Sequence, residues 1–191
     1  GFGVESVPAV IPPKDFFAIL ANRRFPAATF IRLREDFDYI KEPDVFHEIY
    51  GHCPMLTNSS FADYVHEYGK LALSVEKKYM WSLQRLFWFT VEFGLIKTSK
   101  GEKIYGAGLS SSSGEAIYCT DSLEPTKLEF DPLSIFRTNY RIDIYQPIYY
   151  VIDSFEQLFD TITSDLLPII DEAKALGNIN PAPPPPMKDK H

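Results

Sequence analysis

Two of the chain's four histidines, His47 and His52, fall in the short stretch Glu42–Pro54, together with the acids Asp44 and Glu48. Imidazoles and carboxylates are ligands for first-row metals, and a face of two histidines and one carboxylate with open positions is the usual site for non-haem Fe(II) working with oxygen. The spacing H-E-x-x-x-H is not that of the zinc peptidases, whose H-E-x-x-H puts both histidines on one helical face. Five positions along an ideal α-helix, at about 100° each, leave His52 about 140° away from His47. Both rings reach one ion only if the helix ends between them and the chain turns His52 back. Pro43 suits a first helical turn, Asp44 sits near the positive end of the helix dipole, Gly51 supplies a C-terminal turn and Pro54 bars continuation. The alternative is two histidines that merely share a polar helix end.

A third ligand is needed. The run Leu86-Phe87-Trp88-Phe89-Thr90-Val91-Glu92-Phe93-Gly94-Leu95 is apolar nearly all round, the mark of a buried helix, here expected from Tyr79 to about Ile96. Glu92 lies in its middle, and a buried acid is paired, protonated or bound to metal. It is the best candidate for the missing carboxylate, against a buried ion pair or a neutral acid. Glu48 neighbours His47 and points away from the same ion. Arg32 interrupts the apolar stretch Ala27–Leu33, where it needs either a partner or a route to solvent. Phe16 reads as core by periodicity, His66 as solvated, and His191 as without a role.

The elements that must position these residues follow in order. Residues 1–13 are extended or loop, and Pro13–Asn22 is a short amphipathic helix. Ala27–Leu33 is a short strand or helical turn, and a long amphipathic helix runs from the Asn58/Ser59/Ser60 cap to about Val75. Lys97–Lys103 turns between short strands. Tyr105–Glu115, rich in glycine and serine, is a packed loop and no phosphate loop, lacking the P-loop lysine and the third glycine of a dinucleotide fingerprint. Asp131 opens a helical turn, Tyr140–Ile152 is rich in strand formers, and Ser154–Leu176 is one helix. Residues 1–177 are expected to form one domain and the Pro-rich tail 178–191 to be disordered.

Composition narrows the function classes. With 45% hydrophobic and 15% aromatic residues in 191, the chain can bury a real core. A net charge of -7 with no basic block argues against nucleic acid. No apolar run is long enough for a membrane span. Two cysteines, Cys53 and Cys119, and no signal peptide point to a reducing cytoplasm. The chain starts at Gly1 rather than Met, so an N-terminal part of the natural chain is expected to be missing.

Together the motifs resemble the tetrahydropterin-dependent aromatic amino acid hydroxylases. The matching residues are Glu42-Pro43-Asp44 with His47, Glu48, Gly51, His52 and Pro54; Trp88 to Leu95; Tyr105-Gly106-Ala107-Gly108 with Ser111, Ser112, Gly114 and Glu115; and Gln146-Pro147 with Tyr149. Asn22-Arg23-Arg24-Phe25-Pro26 and the short C-terminus look most like the bacterial phenylalanine hydroxylases. The resemblance implies a mainly α fold, a basket of helices around a mononuclear iron, with short β-strands. It implies that His47, His52 and Glu92 hold Fe(II). Phe16 would stack on the pterin, with Val7, Ala9 and Ile11 near it and Glu48 facing the pterin and the reaction as a catalytic acid. Arg32 would hold the substrate carboxylate bidentately, Trp88 would wall the substrate ring, and Ser111, Ser112 and Ile142 would complete the substrate site, Ser111 bracing His47.

The implied activity is phenylalanine 4-monooxygenase, with L-phenylalanine, O2 and tetrahydrobiopterin or a related tetrahydropterin as partners, in a monomer or small homo-oligomer. Ile40 departs from a threonine common in the animal enzymes, which removes one polar contact to substrate. Ile142, where tyrosine hydroxylases tend to carry an acid, and Trp88, where tryptophan hydroxylases usually carry Phe, favour phenylalanine. The competing readings are a tryptophan or tyrosine hydroxylase of the same fold and an inactive helical metal-binding module.

Overall fold

Helix α2 (Ser59–Ser74) starts where the Asn58 side chain accepts from the Phe61 N–H at 3.0 Å, which satisfies a donor that a helix start leaves without a partner. Its apolar stripe of Phe61, Tyr64, Val65, Tyr68 and Ala72 is buried, as the periodicity predicts. The two tyrosine hydroxyls are buried with partners, Tyr64 with Thr90 Oγ1 at 2.9 Å and Tyr68 donating to Leu83 O at 3.0 Å. Helix α1 (Pro13–Ala21) crosses α2 closely at Gly69, where a Cβ would come within 2.6 Å of Ala21 N. The computed structural model describes residues 1–8, 10–34 and 42–183. Ala9, Ile40, His191 and the tail beyond Pro183 lie outside them.

Strand β1 (Gly3–Val7) pairs in parallel with β2 (Arg24–Ala28), with α1 as the crossover. A second sheet has four strands, in the order β4 (Gly101–Ile104), β3 (Leu95–Thr98), β6 (Ile148–Ile152) and β5 (Thr126–Glu129). Its hairpin, β3 and β4, turns at Gly101, which has φ +86°. Strands β5 and β6 lie parallel, and β6 also runs parallel to β3. Helices α4 (Ala107–Ser110) and α5 (Ser113–Asp121) lie between β4 and β5. Helices α6 (Pro132–Arg137), α7 (Phe155–Thr163) and α8 (Leu167–Leu176) complete the fold. The fold is mainly α with short strands, as expected. Among the described residues no helix is long and apolar enough to cross a membrane.

Several expectations are corrected. The helix placed over Tyr79–Ile96 is α3 (Met80–Phe87) followed by a wider turn to Glu92, and Leu95 already belongs to β3. A short apolar run does not distinguish buried helix from buried strand. The helix Ser154–Leu176 is two helices, because Pro168 in the first turn of α8 has no N–H to continue an earlier helix. The small-residue loop holds α4 and α5. Of Tyr140–Ile152 only β6 is strand, and β2 ends at Ala28. His66, expected in solvent, is half-buried beside Leu20 O at 3.4 Å. Within the segment expected as tail, Ile179 N–H donates to Arg137 O at 2.7 Å and Asn139 N–H to Ile179 O at 2.9 Å.

Candidate metal centre

The helix that opens at Val45 widens into a π-helical turn over His47–His52. Its i→i+5 bonding is seen in Cys53 N–H donating to Glu48 O at 3.1 Å, a rare geometry often found at functional sites. Widening lowers the rotation per residue, and this brings residues five apart onto one face. The histidines therefore converge without the helix ending at Gly51, correcting the expected cap. Gly51 is needed for another reason: a Cβ there would lie 2.8 Å from Ala107 Cβ, so its absence lets α4 approach. A second π-turn, Trp88–Glu92, closed by Phe93 N–H to Trp88 O at 2.9 Å, delivers Glu92 to the same place.

The three side chains meet. His47 Nε2 and His52 Nε2 are 3.0 Å apart, and Glu92 brings Oε2 to 3.5 Å from His47 and Oε1 to 3.3 Å from His52. Ligands bound at about 2.1 Å to one ion and at right angles lie about 3 Å apart. The observed separations are those of one face of a coordination sphere, with the opposite face open toward the cleft.

The protonation states agree. Ser111 gives its hydroxyl proton to Ala107 O at 2.8 Å, so its oxygen accepts from His47 Nδ1–H at 2.8 Å. A neutral His47 then presents a bare Nε2. Burial lowers the His47 pKa to about 4, which keeps that ring neutral. Burial resists charge on both His52 and Glu92, but their attraction for each other wins: His52 is pushed up and Glu92 down. The proton that this acid draws onto His52 is what a cation would displace. The donor set and its charges fit a ferrous ion.

Arg32 is found elsewhere than expected. Its Nε and Nη2 donate to Asp44 at 3.0 and 2.8 Å, and Nη1 donates to Ser111 O at 2.7 Å. The fork assigned to a substrate carboxylate is thus taken by Asp44. Asp44 also accepts from His47 N–H at 2.9 Å. His47, Asp44, Arg32 and Ser111 form a closed ring of hydrogen bonds that fixes the imidazole, a link that the sequence reading missed although it asked for an Arg32 partner.

A cleft of about 430 Å³ covers this face. Its lining includes the expected Ile11, Phe16, Glu48, Trp88, Ser111, Ser112 and Ile142, whereas Val7 and Arg32 are not part of it. Val7 is instead paired with Ala28 in the first sheet. Phe16 meets Phe87 edge-on at 5.5 Å, and Ile142 stands 57% exposed at the rim. Burial raises the Glu48 pKa to about 7, and its Oε2 lies 3.9 Å from His52 Nε2. Three residues of this site had no role assigned from the sequence. Tyr140 stacks on Trp88 at 4.3 Å and 13°, and Gln146 accepts from the Trp88 indole N–H at 3.1 Å. Glu115, pushed by burial to about 7, accepts from Gln146 N–H and Tyr149 O–H at 2.7 and 2.9 Å. The signal for Glu115 and Gln146 was their place in the quoted motifs; Tyr140 had none.

The family described as biopterin-dependent aromatic amino acid hydroxylase matches residues 1–165 of the chain. The phenylalanine-4-hydroxylase of Pseudomonas aeruginosa is 48% identical over 97% of this chain and 70% of its own length. That of Vibrio cholerae is 48% identical over 95% and 63%. The structure of Chromobacterium violaceum phenylalanine hydroxylase with bound oxidised Fe(III) superposes with a TM-score of 0.91 at 45% identity, covering 98% of this chain and 68% of that one. Phenylalanine hydroxylase of Legionella pneumophila gives a TM-score of 0.91 at 50% identity, covering 95% and 72%. The chain thus spans between 63% and 72% of the length of these four proteins.

Proposed function

Because the chain belongs to the biopterin-dependent aromatic amino acid hydroxylases, we propose that it converts L-phenylalanine to L-tyrosine with O2 and a tetrahydropterin. The observation that carries this reading is the three-sided ligand face of His47, His52 and Glu92 opening into an aromatic cleft. When bound there, a ferrous ion and the pterin supply the electrons that activate oxygen. The chain's own residues do the rest.

Ser111 holds the His47 tautomer and Asp44 its backbone, so the His47 imidazole offers its Nε2 lone pair in a fixed direction. Phe16, with Ile11 beside it in the cleft lining, offers a flat apolar surface to the planar pterin, and Val7 lies on the strand leading there. Glu48, poised near pH 7, can take or return a proton at its unpartnered Oε2. Trp88 and Tyr140 wall the substrate ring and Ser112 flanks it, while Arg32 acts through Asp44 and Ser111, which hold His47. Ile142 puts no charge at the rim, which favours a ring without a hydroxyl. The aromatic walls exclude water, which strengthens every polar interaction inside.

The test is turnover after Fe(II) reconstitution, with and without tetrahydropterin, on phenylalanine, tyrosine and tryptophan. Pterin-dependent formation of tyrosine, faster than either other reaction, is the expected result. Faster hydroxylation of tryptophan overturns the substrate assignment. Stoichiometric metal without turnover of any of the three leaves a metal-binding module instead.

A further inference from the structure

Residues just beyond α8 pair with the chain at the end of α6. Ile179 pairs in both directions, with Arg137 O and Asn139 N–H. Asn139 Nδ2 also donates to Asn180 Oδ1 at 2.5 Å. Beneath them Arg85, from α3 and only 3% exposed, donates to Phe136 O, to Asn139 Oδ1 and, at 3.1 Å, to Asn178 Oδ1. A buried guanidinium must find acceptors, and here they are neutral oxygens from two stretches of chain, 136–139 and 178. Arg85 thereby ties α6, the segment after it and the C-terminal segment together.

The residue following Asn139 is Tyr140. It stands outside any helix or strand, so its place depends on what holds its neighbours. Its ring lies between Trp88 at 4.3 Å and Trp81 at 5.5 Å, with interplanar angles of 13° and 20°. It lines the cleft over the ligand face and also a small cavity of about 190 Å³ shared with Asn180, Pro181 and Pro183. One side chain thus joins the C-terminal segment to the substrate wall.

We propose that Asn178–Asn180, clamped by Arg85 and Asn139, is a positioning element of the active site, which holds Tyr140 against Trp88 and so sets the wall that the substrate ring meets. This rests on the hydroxylase reading above. A loosened wall weakens ground-state and transition-state binding alike, and such a loss raises KM and leaves kcat in place.

Four forms of the protein test it: the full chain, a chain ending at Pro183, a chain ending at Gly177, and full-length Asn178→Ala in case the shortest form does not fold. Trp81 and Trp88 are the chain's two tryptophans, and both belong to the stack on Tyr140. Near-UV circular dichroism and acrylamide quenching of tryptophan therefore report on it in the metal-free protein. The chain ending at Pro183 should match the full chain. Ending at Gly177, or Asn178→Ala, should change the tryptophan signals and raise KM for phenylalanine roughly five-fold, the size of one lost hydrogen bond, with kcat and iron stoichiometry held. Unchanged tryptophan signals and KM overturn the proposal, as does a lower melting temperature with no change in either. If the full chain makes no tyrosine, the hydroxylase reading fails, and the tryptophan signals alone decide whether the segment holds the stack.

Discussion

At the polar end of the cleft His47 is tied by its backbone N–H to Asp44 and by its ring to Ser111, and Arg32 closes the circuit between those two. At the aromatic end Trp88 is steadied by an indole bond to Gln146 and by flat contact with Tyr140. The difference follows from what each end must do. Metal–ligand bonds are short and directional, so a ring that strays by a fraction of an ångström is lost as a ligand. An apolar wall binds by area, which falls off gradually as rings slide. Damage at the polar end should therefore be severe and chemical, and damage at the aromatic end graded and confined to binding.

The largest effect is expected from Glu92→Ala, which removes the one carboxylate of the proposed ligand face. Iron binding and turnover should both disappear while far-UV circular dichroism and the unfolding transition persist, and retained stoichiometric iron would contradict the ligand assignment. Next is Asp44→Ala, which leaves the Arg32 guanidinium buried without its counter-charge. A loss of about 3–5 kcal/mol is the usual cost of such an orphan, to be read from denaturant unfolding.

The same pair has a pH signature. Burial works against the Asp44 charge, but its bonds from Arg32 and from the His47 and Arg32 N–H groups prevail and hold its pKa near 2 against 3.8. A lowered folded-state pKa means stability that is fully present above about pH 4 and drains away as pH falls toward 2, worth about 2 kcal/mol. Unfolding measured between pH 5 and 2 should show this slope in the parent and lose it in Asp44→Ala.

Ser111→Ala removes the acceptor that sets the His47 tautomer and should weaken metal binding about 10–100-fold, measured by chelator competition. The smallest change is Gln146→Leu, which frees the Trp88 indole: KM for phenylalanine should rise by roughly the five-fold that one hydrogen bond supplies, with metal affinity untouched. If instead Gln146→Leu loosened the metal, the two ends would be one unit and the contrast between them would collapse.

The meeting of His47, His52 and Glu92 could be expected because buried acids and paired histidines are rare enough to stand out, and α2 was readable because one side of a regular helix repeats. The π-turns were not. Judged by α-helical geometry, His47 and His52 diverge, and nothing in local residue preference announces that the ladder will shift to i→i+5. Arg32 shows the limit from another side. The sequence demanded a partner for it, and two acceptable ones existed, a substrate carboxylate and Asp44; only the chain path made Asp44 the nearer. Tyr140 was submerged among strand formers, and residues 178–180 among prolines, since composition reports flexibility but not a docking partner.

From the amino-acid sequence alone came the chemical kinds at this site: two imidazoles, one acid, aromatic surroundings and a family pattern that joins them. Tertiary structure decided which nitrogen faces the centre, which proton Ser111 accepts, where Arg32 spends its donors and which rings stack on Tyr140. The physical reason is that side-chain chemistry belongs to each residue separately. Direction depends on backbone register and on contacts between distant stretches, 93 positions apart from Arg85 to Asn178, and those exist only once the chain has packed.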